Sequence, residues 1–91
     1  MTAVQVVFGP DVFRVELSDA SFIDVPLERY PRLQYATESE RQNWRLLGDG
    51  YAIEWPDIDE HIGIEGLVAG HKSGESQASL SRWLEQRTNH L

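Results

Sequence analysis

Apolar and polar residues alternate along the first quarter of the chain. Residues 3–8 are mostly β-branched or aromatic, and residues 12–17 carry apolar side chains at every second position with charged side chains between them. A period of two is typical of a half-buried antiparallel strand. Turn-forming residues follow both runs, and residues 22–25 are again largely apolar. The pattern therefore predicts a three-stranded meander over residues 3–25.

The pattern changes at Pro26, a residue that suits the first position of a helix. Apolar residues then follow at helical spacing over residues 27–33, but Pro31 limits this stretch to one short helix or two turns. Thr37 and Glu40 have the residue types and spacing of a capping box, in which each side chain accepts a hydrogen bond from the other residue's backbone N–H. A second helix is therefore expected to begin there.

A β-hairpin is expected next, because Asp49-Gly50 is a dipeptide typical of tight hairpin turns. The residues after it alternate, which predicts that Tyr51 and Trp55 share one face with Trp44 on the preceding strand beside them. The alternative is that the helix continues through this segment and ends with Gly48 as its C-terminal cap. We favour the hairpin.

The last third of the chain predicts looser structure and then one longer helix. Residues 56–60 are read as a turn with some helical character, residues 62–64 as a short extended piece, and residues 65–69 as one turn of helix. Apolar residues at helical spacing follow a polar, flexible stretch and predict an amphipathic tail helix. The residues at this spacing are Leu80, Trp83, Leu84, Arg87 and Leu91, and the apolar ones among them form one face of the helix.

These elements predict an α+β fold with a small antiparallel sheet of about five strands. Short helices from residues 26–43 would cover one face of the sheet, and a C-terminal amphipathic helix would follow. We expect residues 1–70 to form a single α+β domain and residues 71–91 to form the tail helix, packed on the sheet or paired with a second copy.

Composition narrows the classes of function. The 91 residues carry a formal net charge of −7, from 15 acidic against 8 basic side chains, and include no cysteine. A field of this sign repels phosphate backbones and anionic lipid, so nucleic acid is an unfavourable partner and a membrane surface is not expected. The lack of cysteine excludes disulfides, thiolate metal sites and cysteine nucleophiles. With no leader-like segment at the start, a cytoplasmic protein is expected.

Several short motifs over residues 12–70 resemble the bacterial family called domain of unknown function 2442. They are Val25-Pro26-Leu27, Tyr30-Pro31-Arg32-Leu33, Ala36-Thr37, Arg41, Trp44, Gly48-Asp49-Gly50-Tyr51, Ile53, Trp55-Pro56, Asp59-Glu60, Ile62 and Leu67. Ala20 and His61 depart from the family pattern, at positions where a glycine and an acid are frequent. The resemblance implies a small α+β domain, often encoded beside a second small protein, which has prompted a toxin–antitoxin hypothesis. No catalytic residues are established for the family, so it implies none here.

No catalytic or metal-binding pattern stands out, and we predict no catalytic residue, no metal and no cofactor. The acidic segment that begins at Asp57 lacks the glycine and glutamate spacing of a calcium loop. The spacing of His61, His71 and His90 matches no compact zinc pattern. Carboxylate pairs are unavoidable in so acidic a chain, so a carboxylate-based hydrolase stays an unfavoured alternative.

Three groups of residues are candidates for contact with a partner. They are the acidic residues Asp57, Asp59 and Glu60, the basic residues Arg29 and Arg32 with their aromatic neighbours, and Trp83 with Leu84 on the tail helix. Intramolecular ion pairs and helix packing are the competing interpretation of each group. The arginine cluster also keeps open the alternative of a nucleic-acid-binding transcriptional regulator.

The leading hypothesis is a non-enzymatic protein-interaction module, antitoxin-like or an accessory partner of a neighbouring small protein. Its partner is expected to be another protein with a basic surface, because the chain is acidic. A homodimer through the tail helix is the second form of association that the amphipathic pattern allows.

Overall fold

The computed structural model of the chain describes residues 1–89. His90, considered above as a metal ligand, and Leu91, assigned to the apolar face of the tail helix, lie outside the described residues. Within them the protein is α+β, with antiparallel sheets, several short helices and a C-terminal helix.

The first sheet is the predicted meander. Its strands are β1 (Ala3–Phe8), β2 (Val12–Leu17) and β3 (Phe22–Pro26), in the spatial order β1-β2-β3. Both pairings are antiparallel, and Val15 on the central strand lies opposite Val6 and Ile23. The alternation along β2 decides which face is buried, because Phe13, Val15 and Leu17 point into the core and Arg14 points out.

A 3₁₀ turn and two short helices follow, and Pro31 begins the first helix directly after the turn, in agreement with the predicted limit on this stretch. A 3₁₀ turn over Leu27–Arg29 leads into α1 (Pro31–Tyr35), and α2 (Glu38–Gln42) comes next. The capping box is confirmed: Glu40 N donates to Thr37 Oγ1 at 3.1 Å, and Thr37 N donates to Glu40 Oε1 at 2.8 Å. The apolar residues of the first stretch, Leu27, Tyr30 and Leu33, are all buried.

The prediction of a single sheet of about five strands is wrong, because the structure has a second sheet of three strands. The predicted hairpin forms β4 (Arg45–Leu47) and β5 (Ala52–Trp55), and β6 (Glu60–Gly63) pairs with β5 on its other side. A 3₁₀ turn over Pro56–Ile58, followed by Asp59 in the left-handed conformation, reverses the chain and brings β6 back alongside β5.

The two sheets meet at Gly50. Ala3 N donates to Gly50 O at 2.7 Å, and a Cβ added at Gly50 would lie 2.3 Å from Ala3 O. Gly50 also has a φ of +103°, a conformation that favours glycine. The hairpin turn therefore approaches β1 at a distance that leaves no room for a side chain.

The core lies between the two sheets and the short helices. Its largest fully buried side chains include Phe13, Leu33, Ile53 and Trp55. The Trp55 ring meets Phe13 edge-on, with ring centroids 6.3 Å apart, and its Nε1 donates to a backbone carbonyl at 3.0 Å. Two predictions for the hairpin face need correction: Tyr51 is 57% exposed because it lies in the turn, and Trp44 is only half-buried because it precedes the strand.

Two helices complete the described chain. Helix α3 (Ile64–Val68) follows β6, and α4 (Gln77–Asn89) is the predicted tail helix. Trp83, on α4, is half-buried against the core. None of the helices within residues 1–89 has the length and apolar character needed to cross a membrane.

Candidate protein-interaction site

An ion pair holds the start of the tail helix against α1. Arg32 donates from Nε to Glu75 Oε1 at 2.5 Å and from Nη2 to Glu75 Oε2 at 3.2 Å. Its third hydrogen bond, at 2.9 Å, goes to the backbone oxygen of Ile58. Both charged side chains are largely buried, with 16% and 10% of the Arg32 and Glu75 side chains exposed. The Arg32 guanidinium, helped by the Ser79 hydroxyl, lowers the pKa of the Glu75 carboxyl below its ordinary value.

A second ion pair holds the other end of the helix against α2. Arg87 donates to the two carboxylate oxygens of Glu40 at 2.7 and 2.9 Å. The same carboxylate completes the capping box with Thr37, so it accepts hydrogen bonds from two directions. The hydrogen-bonded Arg87 guanidinium is the main reason that the pKa of the Glu40 carboxyl is lowered from its ordinary value of 4.5 to about 2. Charge-assisted bidentate pairs of this kind are stronger than ordinary hydrogen bonds.

Trp83 lies between the two arginines that make these ion pairs. The guanidinium carbon of Arg87 is 4.6 Å from the Trp83 ring centroid, and that of Arg32 is 5.2 Å from it. Both distances are within the range of a cation–π contact. The ring and both ion pairs therefore attach α4 to the domain at three neighbouring points.

An open groove runs between the tail helix and the 3₁₀ turn before β6. It has a volume of about 310 Å³, and we call it the tail groove. The residues that line it include Arg32, Asp57, Asp59, Arg82, Trp83 and Gln86.

Two carboxylates lie at the rim of the tail groove. Asp57 and Asp59 are exposed. Asp57 accepts a hydrogen bond from Asn43 Nδ2 at 2.9 Å, which orients its carboxylate. The left-handed backbone of Asp59, with a φ of 53°, ends the 3₁₀ turn. The groove thus combines an aromatic ring with two exposed aspartates and the exposed Arg82.

The structure brings four of the seven predicted contact residues to this groove and leaves three apart. Glu60 is half-buried on β6 and lines a smaller hollow with Tyr30 and His71. Burial raises the pKa of the Glu60 carboxyl. Arg29 is exposed, and its backbone oxygen accepts the N–H of Ser73. Leu84 is half-buried on α4, next to Trp83 in sequence.

Sequence reasoning missed the partners that build the groove. Glu40 was identified only as a cap, and Glu75 belongs to the stretch before the tail helix that was predicted to be polar and flexible. Each lies more than 40 residues from its arginine in the chain, 43 for Glu75 and 47 for Glu40. Side-chain pairs are readable from sequence only within one helix or one strand pair, so no local signal identifies these contacts.

Two observations on the described residues bear on acid–base and metal chemistry. Among the carboxyl groups of residues 1–89, Glu60 is the one whose pKa is clearly raised, and it lines a hollow of about 190 Å³. In the same part of the chain, no three His, Asp or Glu side chains are grouped closely enough to hold a metal ion.

The fold and this surface define a class of small α+β protein in which two three-stranded antiparallel sheets carry a C-terminal helix. Residues 3–73 match the family described as protein of unknown function, DUF2442, and the chain belongs to that family. The match stops before α4, which begins at Gln77.

The fold also has a counterpart among solved structures. A crystal structure of a protein of unknown function from Rhodospirillum rubrum superimposes with a TM-score of 0.69 and 21% sequence identity. The alignment covers 87% of this chain and 95% of that chain. This likeness shows the fold. A comparison with curated proteins found no match.

Proposed function

We propose that this protein is a non-enzymatic interaction module that acts in the cytoplasm by binding another protein with a basic surface. The tail groove is the proposed contact surface. An antitoxin-like or accessory role beside a neighbouring small protein is the form of this proposal that the family resemblance suggests.

The observation that carries the proposal is the convergence of Asp57, Asp59 and Trp83 on one open groove. A basic side chain of a partner would find an aromatic face for its aliphatic stem and two carboxylates for its charge. Aromatic residues are enriched where protein interfaces bind most strongly. The net charge of −7 would add long-range attraction for a basic partner.

The two alternative functions have less support. Nucleic-acid binding rested on the cluster around Arg29 and Arg32, but Arg32 is ion-paired to Glu75 and its groove carries two aspartates. A carboxylate-based hydrolase would need two acids facing one substrate cleft, one of them with a raised pKa. Glu60 has a raised pKa, but it lines a different hollow from the tail groove that Asp57 and Asp59 line.

Quantitative affinity capture from the native cells, with partners identified by mass spectrometry, tests the proposal. The test variant is Asp57→Asn/Asp59→Asn. Asn at position 57 can still accept the Asn43 hydrogen bond, and Asn tolerates the left-handed backbone at position 59. The matched control is Glu28→Gln/Glu38→Gln, which removes two exposed charges elsewhere.

We expect the wild type and the control to recover the same basic protein and the test variant to recover at least about tenfold less. The recovery should also fall with rising salt, because exposed charges are screened within about 8 Å at physiological ionic strength. Failure to recover a partner, or equal recovery by the test variant, would contradict the proposal.

A further inference from the structure

The outer face of the first sheet carries an apolar patch that the core does not use. The exposed fractions of its four apolar side chains are 54% for Val4, 43% for Val7, 40% for Val12 and 53% for Phe22. They line one open concavity of about 580 Å³. An exposed apolar patch shared by three adjacent strands is typical of a surface that binds a ligand or another protein.

Three charged side chains lie on the same face as this patch. Arg14 donates to both carboxylate oxygens of Asp24 on β3, at 2.8 and 3.0 Å, and its guanidinium carbon is 3.8 Å from the Phe22 ring centroid. Glu16 lies two residues after Arg14 on β2 and so points to the same face. The centre of the patch therefore holds one positive charge between two negative charges.

This order of charges is complementary to itself. Consider a second copy placed face to face with the first. The two-fold axis then lies midway between the two sheets and parallel to them, and it crosses the direction of β2 at a right angle next to Val15. The two central strands then run antiparallel, and Arg14 of each copy faces Glu16 of the other. Positions 14 and 16 are separated by about 7 Å along the strand, so both contacts form at once. Sheets that pack face to face lie about 10 Å apart, a distance that long charged side chains can span.

The same arrangement selects a second copy over a basic partner. A uniformly basic surface would meet Glu16 and Asp24 but would repel Arg14, which lies between them. A second copy instead presents its Arg14 to Glu16 and its Glu16 to Arg14 by symmetry, while Asp24 stays paired with Arg14 of its own copy. The face carries only one net negative charge, so the chain's repulsive charge of −7 is located mostly elsewhere.

We propose that the outer face of the first sheet is the interface of a two-fold homodimer, in which Arg14 and Glu16 pair reciprocally between copies. Val7 and Phe22 would be removed from water at the same interface. The residues lining this face and those lining the tail groove do not overlap, so the two proposals can be tested separately.

Sedimentation equilibrium over protein concentrations from about 1 μM to 1 mM tests the homodimer. The wild type should show a concentration-dependent dimer. Glu16→Arg places like charges at both reciprocal contacts and should raise the dimer dissociation constant about tenfold or more. Arg14→Glu should do the same. An equimolar mixture of these two variants should dimerise again, because each mixed contact then pairs opposite charges.

The control is Glu65→Arg, which makes the same charge change at an exposed position on α3 and should leave dimerisation as in the wild type. Far-UV circular dichroism checks that each variant is folded. If Arg14→Glu fails to fold after losing its contact with Asp24, Phe22→Ser provides a second disruption of the patch. A wild type that is monomeric throughout, a dimer unaffected by Glu16→Arg, or a folded mixture that stays monomeric would overturn the proposal.

Discussion

Replacing Glu40 with Gln should loosen the tail helix while leaving α2 intact. Glutamine keeps the oxygen that accepts the Thr37 N–H, since Glu and Gln both serve in a capping box. It loses the negative charge that binds Arg87 at 2.7 and 2.9 Å. The substitution therefore separates the ion pair from the helix cap that shares the same side chain.

The size of the effect follows from the pKa of Glu40. A fall from 4.5 to about 2 corresponds to at most roughly 3 kcal/mol. The Arg87 and Glu40 side chains are still 28% and 20% exposed, so water and salt screen part of this interaction. We expect a loss of about 1–2 kcal/mol. It should appear first as local opening of α4, which is attached mainly through Trp83 and the two ion pairs.

Hydrogen exchange of residues 77–89, combined with urea denaturation, measures both effects. The set comprises wild type, Glu40→Gln, Arg87→Gln and the double variant, so that the coupling energy of the pair can be isolated. Glu38→Gln is the control, because it removes an exposed charge from the same turn of α2. We expect a coupling of about 1 kcal/mol and a change of less than about 0.5 kcal/mol for the control.

Two results would refute this reasoning. The first is unchanged exchange of α4 in folded Glu40→Gln, which would mean that the ion pair does not hold the helix. The second is a coupling energy near zero, which would mean that Glu40 and Arg87 act independently in solution.

Three further predictions concern pH, the junction of the sheets and the core. Because folding lowers the pKa of Glu40 from 4.5 to about 2, the ionised carboxylate should stabilise the fold fully above pH 4.5 and lose this effect as the pH falls towards 2. Thermal melts of wild type and Glu40→Gln should therefore converge near pH 2. Gly50→Ala should destabilise the fold by about 2–4 kcal/mol in urea, because its Cβ would clash with Ala3 O, whereas Gly74→Ala, in open space, should change stability by less than about 0.5 kcal/mol. Trp55→Phe should lower the free energy of unfolding by about 2 kcal/mol in the same assay, because it leaves a small cavity and a backbone carbonyl without its hydrogen bond. A loss below about 0.5 kcal/mol would contradict the packing described.

Much of the first half of the fold could be predicted because its signals are local. The alternation over residues 12–17 identifies the buried face of β2, Pro31 divides the helical stretch, and Thr37 with Glu40 marks the start of α2. Each of these depends on neighbours within a few residues, which is the range that sequence patterns report.

The pairing of β6 with the predicted hairpin was missed, although residues 62–64 were predicted to be extended, because β6 has almost no local signal. Ile62 is the only large apolar residue in Glu60–Gly63, so the sequence of this segment shows no clear alternation of apolar and polar residues. Its pairing with β5 is determined by the turn over Pro56–Ile58 and by the left-handed Asp59, a conformation that sequence alone does not reveal for a residue other than glycine.

The candidate site could be predicted only where its signals are local. Asp57 and Trp83 were identified by charge and by helical periodicity. Their meeting in one groove depends on Arg32 binding Glu75 and Arg87 binding Glu40 across the fold. The tail helix also lies beyond the residues that match the family, so family membership does not predict where it packs.

Site-specific photo-crosslinking in the native cells tests the central proposal most directly. A photoreactive amino acid would replace Gln86, an exposed residue lining the tail groove, and in a second strain Gln34, an exposed residue that does not line it. We predict a discrete covalent adduct with one basic protein from position 86 and none from position 34. No adduct from position 86, or the same adduct from both positions, would contradict binding through the tail groove.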